Sequence, residues 1–426
     1  MADDSHPAGW ISADENSLSK LLRQGLEPTP LLVCAGGTSS RCAADGLWTL
    51  DLRASHRQLI LSENGDEVEI GTGLTMGEVL EGLQTHQRSI PAGLSTIPGC
   101  GFLLTGGIGP LSRSQGLAMD HIIGLRGVWG NGDSFDRTAP APMSDAGPAP
   151  RTETIHEQKD HQQWRGLLGA APFLGVVTAI RMRTHPLTPL VIFRCVGSVQ
   201  QLAVAIEEAE QWNHSASLQW AWNERIELYL ACCLDDPAAL QAIESLKTRL
   251  GHCAESSMTT VPGQYAQPAF GTLATTTAAE GRIHSEVIGR LGSSWGQTIP
   301  SLLANLHQLM AKRPHPACQV NAQQLGGMSA HTPVSRTSFI HRDAIWKPWV
   351  SAAWRAGDHK GRDQALEWLM RVNDLLCDAC PGVHLAQIHP HLAFHQGELN
   401  DAFQDWLPGL KQLKQDLDPD GLLLPL

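Results

Sequence analysis

Tyrosine is nearly missing from this sequence: Tyr229 and Tyr265 are the only two in 426 residues, against thirteen tryptophans. A reaction that takes its proton acceptor from a phenol therefore has almost nowhere to find one. No run approaches the ~18 to 20 consecutive apolar residues of a membrane span, so none is expected. Neither GxxxxGK[ST] nor a GxGxxG fingerprint between strand and helix occurs, which excludes the two commonest phosphate cradles. Basic residues are outnumbered, with 31 Lys and Arg against 43 Asp and Glu and a net charge of −12. That balance argues against a nucleic-acid or anionic-membrane partner. The ten cysteines are scattered, with Cys377/Cys380 the one CxxC, a pattern of reduced buried thiols rather than of a disulfide framework. The opening MADDSHPAGWISADENSL lacks the basic start, apolar core and cleavage site of a secretory signal, so a cytoplasmic location is expected.

What is present is glycine in clusters. At 426 residues the chain is long enough for two cores. From 31 to 128, short apolar runs alternate with glycines (LLVCAGG, LWTLDLR, VEIGTGL), followed by a helical TMGEVLEGLQTH and by LLTGGIGPLSRSQGLAMDHI from Leu103 to Ile122. This rhythm predicts an α+β unit with small sheets and tight loops. DRTAPAPMSDAGPAP, Asp136 to Pro150, has no apolar periodicity and reads as an exposed excursion. From Leu190 a βαββα order predicts an antiparallel sheet backed by helices on one face, with Asp235 or Asp236 capping a helix that opens on Pro237. Further helices fit SLLANLHQLMAKR and GRDQALEWLMRVNDLLCDAC.

Three separated pieces gain meaning together: AGGTSS at Ala35 to Ser40, GxGxxxTGGIG from Gly99 to Gly109, and LGVVT at Leu174 to Thr178. Their order and flanks resemble the FAD-binding PCMH-type domain of the vanillyl-alcohol-oxidase and p-cresol-methylhydroxylase flavoproteins, and within them the berberine-bridge-enzyme-like branch. The likeness continues in QLGGMSAHTPVSRTSFIHRDAIWKPWVSAAW from Gln324 and in LKQLKQDLDPDGLL near the end. It implies an α+β fold: a two-part FAD-binding PCMH-type domain at 1–187, a substrate or cap domain with an antiparallel sheet backed by helices at 188–380, and a returning segment at 381–426.

The resemblance implies FAD, gripped by a nest of N–H groups at Gly36, Gly37, Thr38 and Ser39 with hydroxyl help from Ser39 and Ser40. Pro98, Gly99, Gly101, Thr105, Gly106, Gly107 and Gly109 would lie along the flavin, where a Cβ at the last three would collide with it. Gly116, Asp120, Ile122, Gly175, Val176 and Val177 would complete the pocket. Many relatives tether the flavin through a His and a Cys; this chain has Thr38 and Ser95 there, so noncovalent FAD is expected.

The proton acceptor has no obvious seat. On an extended HLAQIHPHLAFHQ, His389, His391 and His395 would share one face, and an imidazole there could take a substrate proton. Read instead as a zinc site, the three histidines lack any HExxH-like signature, so no metal is expected. Arg342 could pair with a carboxylate and hold the domain interface, and Trp346, Trp349 and Trp354 fit either a stacking surface or simple packing. The expected activity is hydride transfer from a small alcohol, sugar or amine to flavin N5, with oxygen or another acceptor reoxidising the cofactor. The alternative is a flavin-binding carrier, sensor or partner without turnover.

Overall fold

The computed structural model describes residues 6–39, 42–93, 95–140, 155–263, 282–391 and 393–426. The first part builds two small sheets. Leu32–Cys34 and Gly9–Ile11 flank Trp48–Asp51 in a parallel three-stranded sheet. An antiparallel five-stranded sheet has Gly175–Arg183 between Glu67–Gly71 and Ile122–Trp129. The helix Met76–Gln84 starts where Thr75 offers a reciprocal cap: the Thr75 N–H donates to Glu78 Oε2 (2.9 Å) and Glu78 N–H donates to Thr75 Oγ1 (3.4 Å). Its Val79, Leu80 and Leu83 point into the core, as the 3–4 spacing requires.

The expected βαββα order is present as Leu190–Gly197, Val199–Ala209, Ala216–Trp222, Ile226–Cys233 and Pro237–Leu250. Asp236, not Asp235, is the cap, its Oδ1 accepting from Ala239 N–H (3.0 Å). These strands belong to an antiparallel eight-stranded sheet in which Gln319–Gln324, Trp346–Arg355 and Ile283–Leu291 lie side by side. Helices cover one face only, and Trp346, Val350, Ala352 and Trp354 pack into that helix-side core. Alternation along the strand therefore turns Lys347, Trp349 and Ser351 to the other face, toward the first part of the chain. The indoles of Trp346 and Trp354 are packing residues, with Trp346 stacked on Trp295 at 5.2 Å and donating to Glu210 Oε1 at 2.7 Å.

The last residues fold back on the first part. Leu422 and Leu423 join Leu18, Leu22, Leu31 and Leu50 in one core, and Leu31 N–H donates to the Leu422 carbonyl (2.8 Å). The Pro/Ala-rich segment from 141 to 150 lies outside the described residues.

The HLAQIHPHLAFHQ stretch is not a strand. Short 3₁₀ turns at Leu385–Gln387 and Ala393–His395 replace it, with Pro390, which has no N–H to give a ladder, between them.

Candidate active site

Between the small sheets and the open face of the large one lies a cavity of about 340 Å³. One wall is mostly main chain. Gly36 and Gly99 touch backbone to backbone: a Cβ on either would run into the main chain of the other. The approach brings two loops together from opposite ends of the first domain, which is the physical reason both positions are glycine. Gly36, Gly37, Thr38 and Ser39 line the cavity on one side of this contact, Pro98, Gly99, Gly101 and Thr105 on the other, and Gly175, Val176 and Val177 close the wall.

Gly106, Gly107 and Gly109 are not among the lining residues. A Cβ on Gly107 would strike the Ala118 methyl and one on Gly109 the Ala92 carbonyl; one on Gly106 would only graze Phe339 and His384 at 3.4 to 3.6 Å. The last two glycines are needed by the protein's own packing. Gly116, Asp120 and Ile122 also stand away from the cavity. Asp120 is occupied structurally, its Oδ2 accepting from Leu117 N–H (3.0 Å) and from Arg342 Nη1 (2.9 Å). Ser95 lies off the lining, its hydroxyl accepting from Ile97 N–H at 3.3 Å, and Ser40 is outside the described residues.

Arg342 does what its sequence context suggested. Only 4% of its side chain is exposed, and besides Asp120 it donates to Thr337 Oγ1 (2.8 Å) and the Phe339 carbonyl (3.2 Å). A buried guanidinium with this many acceptors joins the second part of the chain to the first.

Side chains make the opposite wall. Glu286, Lys347, His384, Gln387 and His389 all reach the cavity. The strand register sets Lys347 opposite Gln323 and Glu286 opposite Ala352. Their backbones are thus five residues apart along the sheet, about 17 Å, so the two charged groups serve different stations of the cavity. Lys347 is buried, its Nζ 3.9 Å from the Trp349 ring centroid, with no hydrogen bond or ion pair among the described residues. Burial alone pushes its ammonium down to about 7. His384 and Gln387 hold each other through Nδ1 and Oε1 at 3.1 Å.

The three histidines separate. His389 lines the cavity and meets Ser39 Oγ through Nε2 at 2.9 Å, linking the C-terminal segment to the glycine loop. His395 is wholly buried behind it, Nδ1 to Glu398 Oε2 at 2.5 Å and Nε2 to Glu286 Oε1 at 3.3 Å. Burial lowers its imidazolium, but the bonds to Glu286 and Glu398 outweigh that and hold it up at about 9. His391 is half-buried and off the cavity, its ring 6.4 Å from that of His389. The ligand atoms of Glu286, His389 and His395 gather within 4.8 Å of one another. Two metal–ligand bonds span at most about 4.2 Å, and His395 already turns both ring nitrogens to carboxylates, Glu286 and Glu398, so the cluster reads as an ion-pair network. Tyr229 is buried under Arg194 with its phenol pushed up to about 12 by burial, away from the cavity; Tyr265 lies outside the described residues.

Lys347, Glu286, His384 and Gln387 escaped sequence reasoning. The signal for Lys347 was in WKPWVSAAWR, where one cation interrupts an aromatic-rich strand. His384 and Gln387 stand in the same C-terminal stretch, one turn ahead of the histidines that drew attention.

The glycine wall suits a dinucleotide. The Arg53 guanidinium, itself paired with Asp51, lies just beyond its loop end, Nη1 3.1 Å from where a Gly37 Cβ would be. A diphosphate there would face N–H groups and a cation, and the flat wall of Gly99, Gly101 and Gly175 leaves room for a ring system.

Comparison with known proteins agrees. Residues 12–136 match the FAD binding domain family. An FAD-linked oxidoreductase of Dictyostelium discoideum is 28% identical over 155 residues, 36% of this chain and 30% of that protein, so the match spans under a third of the relative's length. Among solved structures, Physcomitrella patens BBE-like 1 superposes with a TM-score of 0.80 at 15% identity, covering 99% of this chain and 92% of that one. Chitooligosaccharide oxidase gives 0.78 at 16%, covering 99% and 92%. Residues 12–136 are accordingly an FAD-binding domain, and the chain as a whole has the berberine-bridge-enzyme-like fold.

Proposed function

We propose that the chain is an FAD-linked oxidoreductase that oxidises a small alcohol, sugar or amine with noncovalently held FAD. The observation that carries this reading is one cavity with a main-chain wall suited to the cofactor and, facing it, a buried lysine that has no hydrogen bond or ion pair among the described residues. FAD when bound supplies the two-electron acceptor, taking a hydride at N5. Thr38, Ser39, Gly99, Gly101 and Gly175 to Val177 would hold the cofactor, and Thr38 and Ser95 offer neither imidazole nor thiol for a tether.

Lys347 is the base. A lysine held near 7 is substantially neutral at physiological pH, so its amine can accept the proton of a substrate O–H or N–H. The pair His384 and Gln387 presents a donor and an acceptor to orient the substrate. Dioxygen is the proposed second acceptor, by analogy with the chitooligosaccharide and xylooligosaccharide oxidases that share the fold.

Purified protein loaded with FAD should be yellow, and acid precipitation should leave the colour in the supernatant. Mixed anaerobically with a panel of alcohols, sugars and amines, at least one should bleach the flavin band. Colour that stays with the precipitate would refute the noncovalent assignment, and a protein that no panel member bleaches would refute the oxidoreductase reading.

A further inference from the structure

Lys414 and Lys347 are both enclosed by the fold, and they differ in what receives their protons. Lys414, with 12% of its side chain exposed, is paired with the Asp418 carboxylate and donates to the Phe173 carbonyl at 3.0 Å. An ammonium is provided for there. Lys347 is 5% exposed and makes no hydrogen bond or ion pair among the described residues; its Nζ stands 3.9 Å from the Trp349 ring centroid. An indole face attracts a cation but is a poor substitute for the three acceptors that water gives an ammonium. Enclosure without acceptors therefore favours the uncharged amine, in keeping with the fall of Lys347 to about 7 on burial.

Lys347 also lines the cavity, so a small solute that enters has a route to its nitrogen. Two polar side chains share that space. The strand register sets Trp349 opposite Gly289, and a Cβ on Gly289 would strike Gln387 Oε1 and come within 3.1 Å of His384 Cβ. His384 N–H donates to the Gly289 carbonyl at 2.9 Å. His384 and Gln387 are thus folded over the strand next to the one that carries Lys347, and all three reach the cavity. A neutral primary amine in an enclosed space, with an imidazole beside it, is the equipment that imine formation uses.

We propose that Lys347 is a covalent binding site for small aldehydes, its amine condensing with the carbonyl in the cavity to give a Schiff base. The nitrogen lone pair forms the C–N bond, the C=O π pair moves to oxygen, and that oxygen takes up a proton as the nitrogen gives one up. The carbinolamine then expels its hydroxyl with a second proton as water and leaves C=N. One amine and one aldehyde yield one imine and one water, with nothing oxidised or reduced. His384 is placed to carry those protons. The imine is uncharged, so the burial that disfavours an ammonium does not disfavour the adduct.

An aldehyde made by oxidising a primary alcohol is released beside this amine and occupies it, which slows the next turnover. That consequence rests on the proposed oxidation, whereas capture of an added aldehyde does not.

Trypsin does not cut between Lys347 and Pro348, so this lysine stays inside one peptide, Asp343 to Arg355, whether or not it is modified. The full chain as purified is mixed at pH 7 with propanal and sodium cyanoborohydride, which reduces the imine to a stable secondary amine, then sampled over time, digested and weighed. The exposed Lys312 and Lys360 serve as internal references. Propyl groups should enter the Asp343 to Arg355 peptide about tenfold faster, or more, than either reference, because at that pH a far larger share of Lys347 is neutral. Lys347→Arg should abolish this label and leave those at Lys312 and Lys360 unchanged; should the variant fail to fold, the comparison within the wild-type chain still decides. A Lys347 label that is absent, or no faster than the references, overturns the proposal. The measurement uses neither flavin chemistry nor an oxidisable substrate, so its failure leaves the oxidoreductase reading standing, and a failure to bleach flavin leaves aldehyde capture standing.

Discussion

The two walls of the cavity are made of different material. The glycine wall works by what it omits: Gly36 and Gly99 meet without side chains, and the groups offered to a ligand are amides fixed by the fold. The sheet wall works by what it adds, namely Lys347, Glu286, His384, Gln387 and His389 on strands and turns whose backbones are already satisfied. A backbone site tolerates almost no substitution, because removing a steric clash means moving a chain. A side-chain site can change residue by residue while its scaffold stays. The contrast teaches that the cofactor end of such a molecule should tolerate substitution less than the substrate end.

Several measurements would break or sharpen that contrast, taken from the largest effect down. Arg342→Ala leaves the Asp120 carboxylate without its cation where the two parts of the chain that carry the walls meet, and should cost about 3 to 5 kcal/mol in denaturant unfolding. If the loss is small, the walls are held by packing alone.

His395 comes next. Its folded pKa of about 9 lies above the ordinary value of 6.5, so the stabilisation it gives is complete below about pH 6.5 and is lost as pH rises through 9. The loss should approach about 3 kcal/mol, and His395→Gln should flatten the stability profile across that window.

On the sheet wall, Lys347→Met should leave flavin content unchanged and slow anaerobic flavin reduction about 100-fold at pH 7. The wild-type rate should rise with pH through about 7 as the amine loses its proton. A variant that loses flavin instead would make Lys347 a cofactor residue and blur the division.

The smallest pair is the most direct. Gly36→Ala should cost about 1 to 3 kcal/mol and weaken FAD, since its methyl must displace the Gly99 backbone. Gly101→Ala, where a Cβ meets nothing within 4 Å, should stay within about 0.5 kcal/mol of wild type.

The same contrast explains what could be read from the chain before its fold was known. AGGTSS, the Gly99 to Gly109 run and GVVT are legible because a backbone site leaves a pattern of missing side chains in sequence. Their detailed reasons were less legible: Gly107 and Gly109 answer to Ala118 and Ala92, contacts that only folding creates. Asp236 and Pro237 announced their helix locally, and Arg342 its role through the flanking motif. Lys347 was hidden, because nothing nearby in sequence says that its strand face is buried against the first part of the chain. His389 and His395 were visible as residues, but the periodicity assumed for them was that of a strand, and Pro390 with its neighbouring 3₁₀ turns sent them to different partners.

Leu422 and Leu423 close the core that Leu18, Leu31 and Leu50 open, almost four hundred residues earlier. During synthesis the early segment must therefore wait, its apolar surface in water, until translation has delivered nearly everything between. The glycine loop that follows Leu31 therefore completes its packing only after Leu422 and Leu423 have been made.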